Sequence, residues 1–231
     1  MKVISNQDIL SLSISPLQCI QWVKESFCMK YDCVLPEKSS IKLHDNIFFN
    51  TMPSFLTPLN RFGVKVVTRY PTRTPSIQGE ISLYDGVDGT FLAFMDASWI
   101  TKMRTGAVAA LTIDKLQKTN ALIYAFMGLG QTAEATLLCL LTLTNPNKII
   151  HVRLLAYKNQ AEKFIETFSY FENISFEVVP TTTELITDAD VVVSCVTAMD
   201  QIVAPDKCYK EGVLVVPVHT RGFQNCDLFF D

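Results

Sequence analysis

The run from Ala121 to Ala133, A-L-I-Y-A-F-M-G-L-G-Q-T-A, constrains the fold more than any other part of this chain. An apolar stretch leads directly into G-x-G-x-x-A, and a helical pattern over 131–144 follows. Gly128 is expected where a strand must turn sharply into a helix. Gly130 is expected where a side chain would push a pyrophosphate away from the first helical amides, and Ala133 is small enough for close helix–sheet packing. Free N–H groups and the positive end of the helix dipole suit a diphosphate. Glycine pairs also end strands in folds that hold no nucleotide. The strand–turn–helix setting is what favours the dinucleotide reading.

The same rhythm continues to the end of the chain. Strands are predicted at 121–127, 149–156, 175–179, 191–196 and 213–218, with helices over 131–144, 159–171 and 182–188. Nearly unbroken apolar strands joined by helices imply a Rossmann-type, doubly wound parallel sheet covered on both faces. Its boundary is set at Lys118-Thr119-Asn120, giving a nucleotide domain over 119–231.

Residues 1–118 read as a different, α+β domain. Ser15 and Pro16 look like the N-cap and first turn of a helix whose apolar stripe is Cys19, Ile20, Val23 and Phe27. Strands are predicted at 41–43, 47–50 and 64–68. The strands 80–84 and 90–95 flank Asp85-Gly86-Val87-Asp88-Gly89 as a hairpin, and a helix follows over 97–118.

The net charge of −3, with no run of Lys and Arg, argues against nucleic acid as a partner. The longest apolar runs fall far short of the roughly 18–20 residues that span a bilayer. The N-terminus lacks the apolar core of a signal peptide. A soluble, cytoplasmic protein with no membrane partner is therefore expected. Seven scattered cysteines without a C-x-x-C pair read as reduced, mostly buried thiols, and three distant histidines give no metal-ligand spacing.

Three details bear on chemistry. The second strand of the nucleotide domain ends L-L-A-Y-K-N, without the acid that holds a ribose 2′-hydroxyl. Tyr157 and Lys158 stand there instead, and Lys158 suits a 2′-phosphate, so NADP(H) is favoured over NAD(H); otherwise Lys158 is a solvated helix-start cation. Lys65 lies mid-strand among Val64, Val66 and Val67, where an ammonium is costly and its pKa falls. Arg104 interrupts an apolar helix face, and its planar fork suits a carboxylate. The alternative for both is a snorkelling stem or a structural ion pair. Arg69 and Arg73 read as solvent-facing loop charges.

Residues 62–111 carry F-G-V-K-V-V-T-R-Y-P, I-S-L-Y-D-G-V-D-G-T-F-L-A-F-M-D and I-T-K-M-R-T-G-A-V-A-A-L in order, followed by G-L-G-Q-T-A and D-A-D-V-V-V-S-C-V-T-A. This set strongly resembles the ornithine cyclodeaminase/mu-crystallin family. The resemblance implies an NAD(P)-dependent oxidoreductase acting at the α-carbon of an amino acid or cyclic imine, with substrate held between two domains and a homodimer formed through the first. Family reactions include conversion of ornithine to proline and ammonia, reduction of cyclic ketimines and oxidation of alanine. By position, Lys65 falls on the active-site lysine and Arg104 on the carboxylate-gripping arginine. Lys38 and Met52 join the substrate contacts. Thr105, Gly128, Leu129, Gly130, Gln131, Thr132, Val196 and Thr197 match cofactor contacts, with Tyr157 and Lys158 beside them.

One stretch departs from the family. Ornithine cyclodeaminases carry a catalytic aspartate after the last strand, in G-x-D-x-P-G-K-x-E-L. Here the stretch reads V-H-T-R-G-F-Q-N-C-D-L, which puts Arg221 at the aspartate and Asp227 at the later glutamate. Arginine is no base at neutral pH, so ornithine deamination by that route is not expected, and Arg221 becomes a candidate for a second acidic group on the substrate. Family proteins also continue well beyond this point and return to the first domain. A non-catalytic binder of nucleotide and small ligand is the alternative to an enzyme.

Overall fold

The structure is a computed structural model describing residues 1–44, 47–197, 199, 201–218 and 223. The chain divides into two compact units, Met1–Arg104 and Thr105–Asp231. The division falls inside a long helix that ends just before Lys118.

The first unit is built on a six-stranded sheet. Its strands are β1 (Lys2–Ile4), β2 (Ser39–Lys42), β3 (Phe48–Leu56), β4 (Arg61–Arg69), β5 (Ile77–Asp85) and β6 (Phe91–Asp96), in the order β1-β6-β5-β4-β3-β2. All neighbours are antiparallel except β1 beside β6. The β5–β6 hairpin closes as its sequence predicts. Asp85 N–H donates to Thr90 O (2.9 Å), and the Asp85 and Asp88 carboxylates accept from the amides of Val87 and Thr90.

Helix α1 (Asn6–Ser11) was not foreseen, although Ser5-Asn6-Gln7-Asp8 is a capping-box signature: Ser5 Oγ accepts from Asp8 N–H, and the Asp8 carboxylate accepts from Ser5 N–H. Helix α2 (Pro16–Met29) starts as expected, with Ser15 accepting from Gln18 N–H and Pro16 in the first turn.

Opposed residues share a face of the sheet. Val67, Gly79 and Ala93 lie on one face and are buried; Phe49, Phe62 and Phe94 lie on the other and are exposed. The core of this unit is therefore on the Lys65 side of β4.

The second unit carries the end of α3 (Ser98–Leu116) and an all-parallel sheet of β7 (Ile123–Met127), β8 (Ile150–Leu155), β9 (Ile174–Val179), β10 (Val191–Ser194) and β11 (Leu214–Pro217). Its order is β11-β10-β7-β8-β9. Chain direction across the sheet reverses between β7 and β10, the switch point at which open α/β sheets hold ligands. The helices α4 (Gln131–Leu143), α5 (Gln160–Thr167) and α6 (Thr182–Ile186) follow β7, β8 and β9 in turn. This is the Rossmann-type arrangement that the strand rhythm predicts. Helix α5 stops at Thr167, short of the expected 171, because its last turns tighten to Phe168 N–H on Ile165 O and Ser169 N–H on Glu166 O.

Among the described residues no helix is long and apolar enough to cross a membrane. Four cysteines, Cys19, Cys139, Cys195 and Cys208, are buried free thiols, whereas Cys28 is exposed and Cys33 half-buried. Cys226 lies outside the described residues.

Candidate functional site

The turn after β7 is shaped by what lies behind it. Gly128 has φ +75°, and a Cβ there would stand 2.5 Å from Val196 N and 2.6 Å from the Cys195 carbonyl carbon. Both conditions exclude a side chain: the left-handed backbone favours glycine, and the end of β10 occupies the space. Gly128 O then accepts from Gly130 N–H at 2.8 Å, which folds the turn onto itself.

Gly130 is the opposite case. Its φ of −96° is open to any residue, it is the N-cap of α4, and nothing lies within 4 Å of a Cβ built on it. The fold gives no reason for glycine at this position. A phosphate approaching the helix does, because that open space is the path to the amides of Gln131 and Thr132. No side chain caps α4, so these amides are left for an anion. Ala133 is fully buried against the sheet, as its small size allows. Leu129 is also buried and anchors the turn, while Gln131 is exposed and Thr132 half-buried. The donor set fits a dinucleotide's pyrophosphate.

Val196, half-buried, lies behind Gly128 just past the end of β10, and Thr197, exposed, follows it. Tyr157 and Lys158 follow β8 on the other side of β7. Both are exposed, Lys158 adopts φ +52°, and its Nζ lies 5.2 Å from the Tyr157 ring centre. No carboxylate stands at this strand end. Thr105 is half-buried on α3, one residue past Arg104.

In the first unit, Lys65 is central in β4, opposite Met52 on β3 and Ile81 on β5. Burial among these apolar neighbours, reinforced by the positive charge of Arg104, lowers its pKa to about 8. Desolvation also lowers the pKa of Arg104, yet the residue keeps an exposed surface and stays a cation, since a guanidinium starts so high. Lys65, Met52 and Arg104 are thus brought together. Lys38 is exposed immediately before β2, next to the Ser39–Thr51 pair. Arg221 lies outside the described residues.

Two arginines differ from the sequence expectation. Arg69 is the last residue of β4 and half-buried. Arg73 donates to Gln78 Oε1 (2.9 Å) and Thr68 Oγ1 (2.8 Å) and lies over the Tyr70 ring at 4.6 Å. It fastens the β4–β5 connection instead of pointing into solvent, because its neutral acceptors sit on the strands on either side.

Sequence reasoning missed Asp190. Its Oδ2 accepts from the amides of Leu122 and Ile123, and its Oδ1 pairs with Lys210 Nζ at 2.6 Å, fixing the start of β7. Nothing local to Asp190 signals a partner 67 residues away.

The fold and turn define a two-unit protein of the Rossmann class with a second, mixed-sheet unit carrying a desolvated lysine and arginine. Residues 2–229 match the ornithine cyclodeaminase/mu-crystallin family, and the chain belongs to it. It is 26% identical over 203 residues to the nodulation efficiency protein NfeD of Rhizobium meliloti, covering 81% of this chain and 59% of that protein. It is 27% identical over 172 residues to a Delta(1)-pyrroline-2-carboxylate reductase of Bacillus cereus, covering 71% of this chain and 50% of the relative. The structure of Thermococcus litoralis Delta(1)-pyrroline-2-carboxylate reductase in complex with NADH and L-proline matches with a TM-score of 0.83 at 27% identity, over 93% of this chain and 68% of that one. The chain thus spans about half the length of the curated relatives it matches, 59% of one and 50% of the other.

Proposed function

We propose that this chain is an NAD(P)-dependent oxidoreductase acting at the α-carbon of an amino acid or cyclic imine, with imine reduction as its principal reaction. The observation that carries this reading is the uncapped N-terminus of α4 behind Gly130, where open space and free amides await a diphosphate. The resemblance to reductases of pyrroline-2-carboxylate supports the imine as substrate.

Residues 119–231 hold the nucleotide in this account. The amides of Gln131 and Thr132 bind the pyrophosphate over the bare Gly130, with Gly128, Leu129, Val196, Thr197 and Thr105 as further contacts. Tyr157 and Lys158 receive the adenosine end, and the absence of an acid beside them favours NADP(H). When bound, the nicotinamide supplies or accepts the hydride at the substrate α-carbon.

Residues 1–118 hold the substrate. Arg104 grips its carboxylate in a forked pair, assisted by Lys38, and Met52 packs beside it. Lys65, with a pKa of about 8, is mostly ammonium at neutral pH with a minor amine fraction, and can pass a proton to the substrate nitrogen or, as amine, take one from it. The exposed Phe49, Phe62 and Phe94 make the outer sheet face the surface for a homodimer, read out as a solution mass twice the 25.9 kDa of the chain.

The test is consumption of NADPH or NADH with pyrroline-2-carboxylate. Turnover that disappears in Lys65→Met supports the reading. Saturable nucleotide binding without turnover of any cyclic imine or amino acid would convert the protein into a binder.

A further inference from the structure

Glycine is a poor residue for a helix interior, because it frees the unfolded backbone and packs nothing. Gly106 nevertheless lies well inside α3 and is buried. Its backbone is outside the left-handed region, so no turn asks for it. A Cβ there would stand 2.5 Å from the Ala135 carbonyl carbon, 2.6 Å from Thr136 N and 2.7 Å from Ala135 Cβ. The two nearest of these atoms are main chain and cannot rotate away. Helices α3 and α4 therefore touch backbone to backbone, and only glycine lets them. The contact lies within the second unit, and Ala107 and Ala110 on α3 and Ala133 and Thr136 on α4 are fully buried around it.

The contact joins two functional stretches. On α4, Ala135 and Thr136 lie one turn beyond Gln131 and Thr132, the residues whose amides open toward the bare Gly130. Thr136 Oγ donates to Thr132 O at 2.8 Å, which ties the contact point to that first turn. On α3, Thr105 directly precedes Gly106, and Arg104 precedes Thr105. A helix is stiff over so short a distance, since two residues rise by only about 3 Å. The backbone of the carboxylate-gripping arginine thus belongs to a helix seated on the one that receives the diphosphate.

We propose that Gly106 is a positioning residue: its missing side chain seats α3 on α4, and that seat sets where Arg104 presents the substrate to the nucleotide. The inference rests on the oxidoreductase reading and adds to it a residue that touches neither substrate nor nucleotide. An alanine Cβ needs about 3.5 Å from its neighbours, so Gly106→Ala lifts α3 from α4 by about 1 Å. A shift of that size between reacting groups costs up to about a hundredfold in rate. It leaves the α4 amides and the guanidinium fork themselves unaltered, so binding of each partner survives.

The test follows oxidation of NADPH and NADH with pyrroline-2-carboxylate by the unaltered chain and by Gly106→Ala. The variant is expected to lose about tenfold or more in kcat, with nucleotide Kd and imine KM within about threefold of wild type. The deuterium isotope effect on kcat, from nucleotide labelled at the transferred hydrogen, should rise as hydride transfer becomes the slow step. A glycine that serves packing alone behaves differently: the variant holds fewer folded molecules, while kcat per nucleotide-binding site and the isotope effect stay as they were. That result overturns the proposal. Hydrogen exchange on the unaltered protein reads the same seat without any variant having to fold. Nucleotide should slow exchange of the amides over 107–112 on α3 together with those over 131–137 on α4; protection confined to α4 and its turn overturns the proposal. An unaltered chain that oxidises neither nucleotide with pyrroline-2-carboxylate removes the oxidoreductase reading and the proposal with it, whereas turnover that Gly106→Ala leaves unchanged removes the proposal alone.

Discussion

The backbone nitrogen of Val196 lies 2.5 Å from the point where a Cβ on Gly128 would sit. The two residues lie just past the ends of neighbouring strands, β7 and β10, at the position where the sheet reverses its winding. The contact fixes the first half of the turn as architecture and leaves the second half, at Gly130, to the ligand. The two glycines of one motif therefore have separable causes.

Their substitutions should separate as well. Gly128→Ala combines a positive φ with a backbone collision and is expected to destabilise the fold by more than about 2 kcal/mol. Gly130→Asp meets open space and caps α4, so stability should hold or rise by roughly a few tenths of a kcal/mol. Its carboxylate lies in the path of a diphosphate, and nucleotide affinity should drop by at least about tenfold. Urea unfolding and nucleotide titration on both variants check the pair; equal effects on stability would remove the distinction.

Lys65 should make both activity and stability depend on pH. Its pKa in the fold is about 8, below the ordinary 10.5. Between those values the unfolded chain binds the extra proton, so stability should increase as pH rises from about 8 toward 10.5. Lys65→Met should flatten that slope and leave the protein more stable at neutral pH, since a costly buried ammonium is gone. If Lys65 donates the proton in imine reduction, kcat should decline above about pH 8 as the ammonium is lost. Thermal melts across pH, paired with a pH–rate profile, provide the comparison.

Asp190 holds the start of β7 through two amides and Lys210. Desolvation acts to raise its pKa, but the bonds from Ile123, Lys210 and Leu122 outweigh it and the net shift is downward. The stability it adds is thus complete above the ordinary carboxylate value of 3.8 and is lost as pH falls through the lowered one. Asp190→Ala should cost about 1–3 kcal/mol, since two amides at the start of the central strand lose their acceptor. A variant as stable as wild type at neutral pH in denaturant titration would contradict this role.

Lys158 should decide which nucleotide binds more tightly. Its positive φ means that Lys158→Gly relieves backbone strain while removing the charge. Affinity for NADPH should fall by about tenfold, the size of one charge-assisted phosphate contact, with NADH unchanged. Equal losses for both nucleotides would move Lys158 away from the 2′-phosphate.

How legible these features were depended on the kind of physics behind them. The nucleotide half could be read because buried parallel strands are continuous apolar runs and the turn is written in consecutive residues. The first unit was less readable. Strand β3 was expected to end at Asn50 but continues through Pro53 to Leu56. Proline is tolerated there because β2 pairs only as far as Thr51, and the side of β3 from which Phe55 N–H reaches Val34 O has no strand waiting for a Pro53 amide. That exemption is visible only once the register is known. The approach of Arg104, on α3, to Lys65, on β4, is likewise visible only in the folded chain.

Calorimetric titration of the folded chain with NADP+, NADPH, NAD+ and NADH tests the central claim most directly. The account predicts saturable binding of one nucleotide per chain, tighter for the phosphorylated pair and weakened at least about tenfold in Gly130→Asp without loss of fold. A folded chain that binds none of the four, or one that Gly130→Asp leaves fully competent, would contradict it.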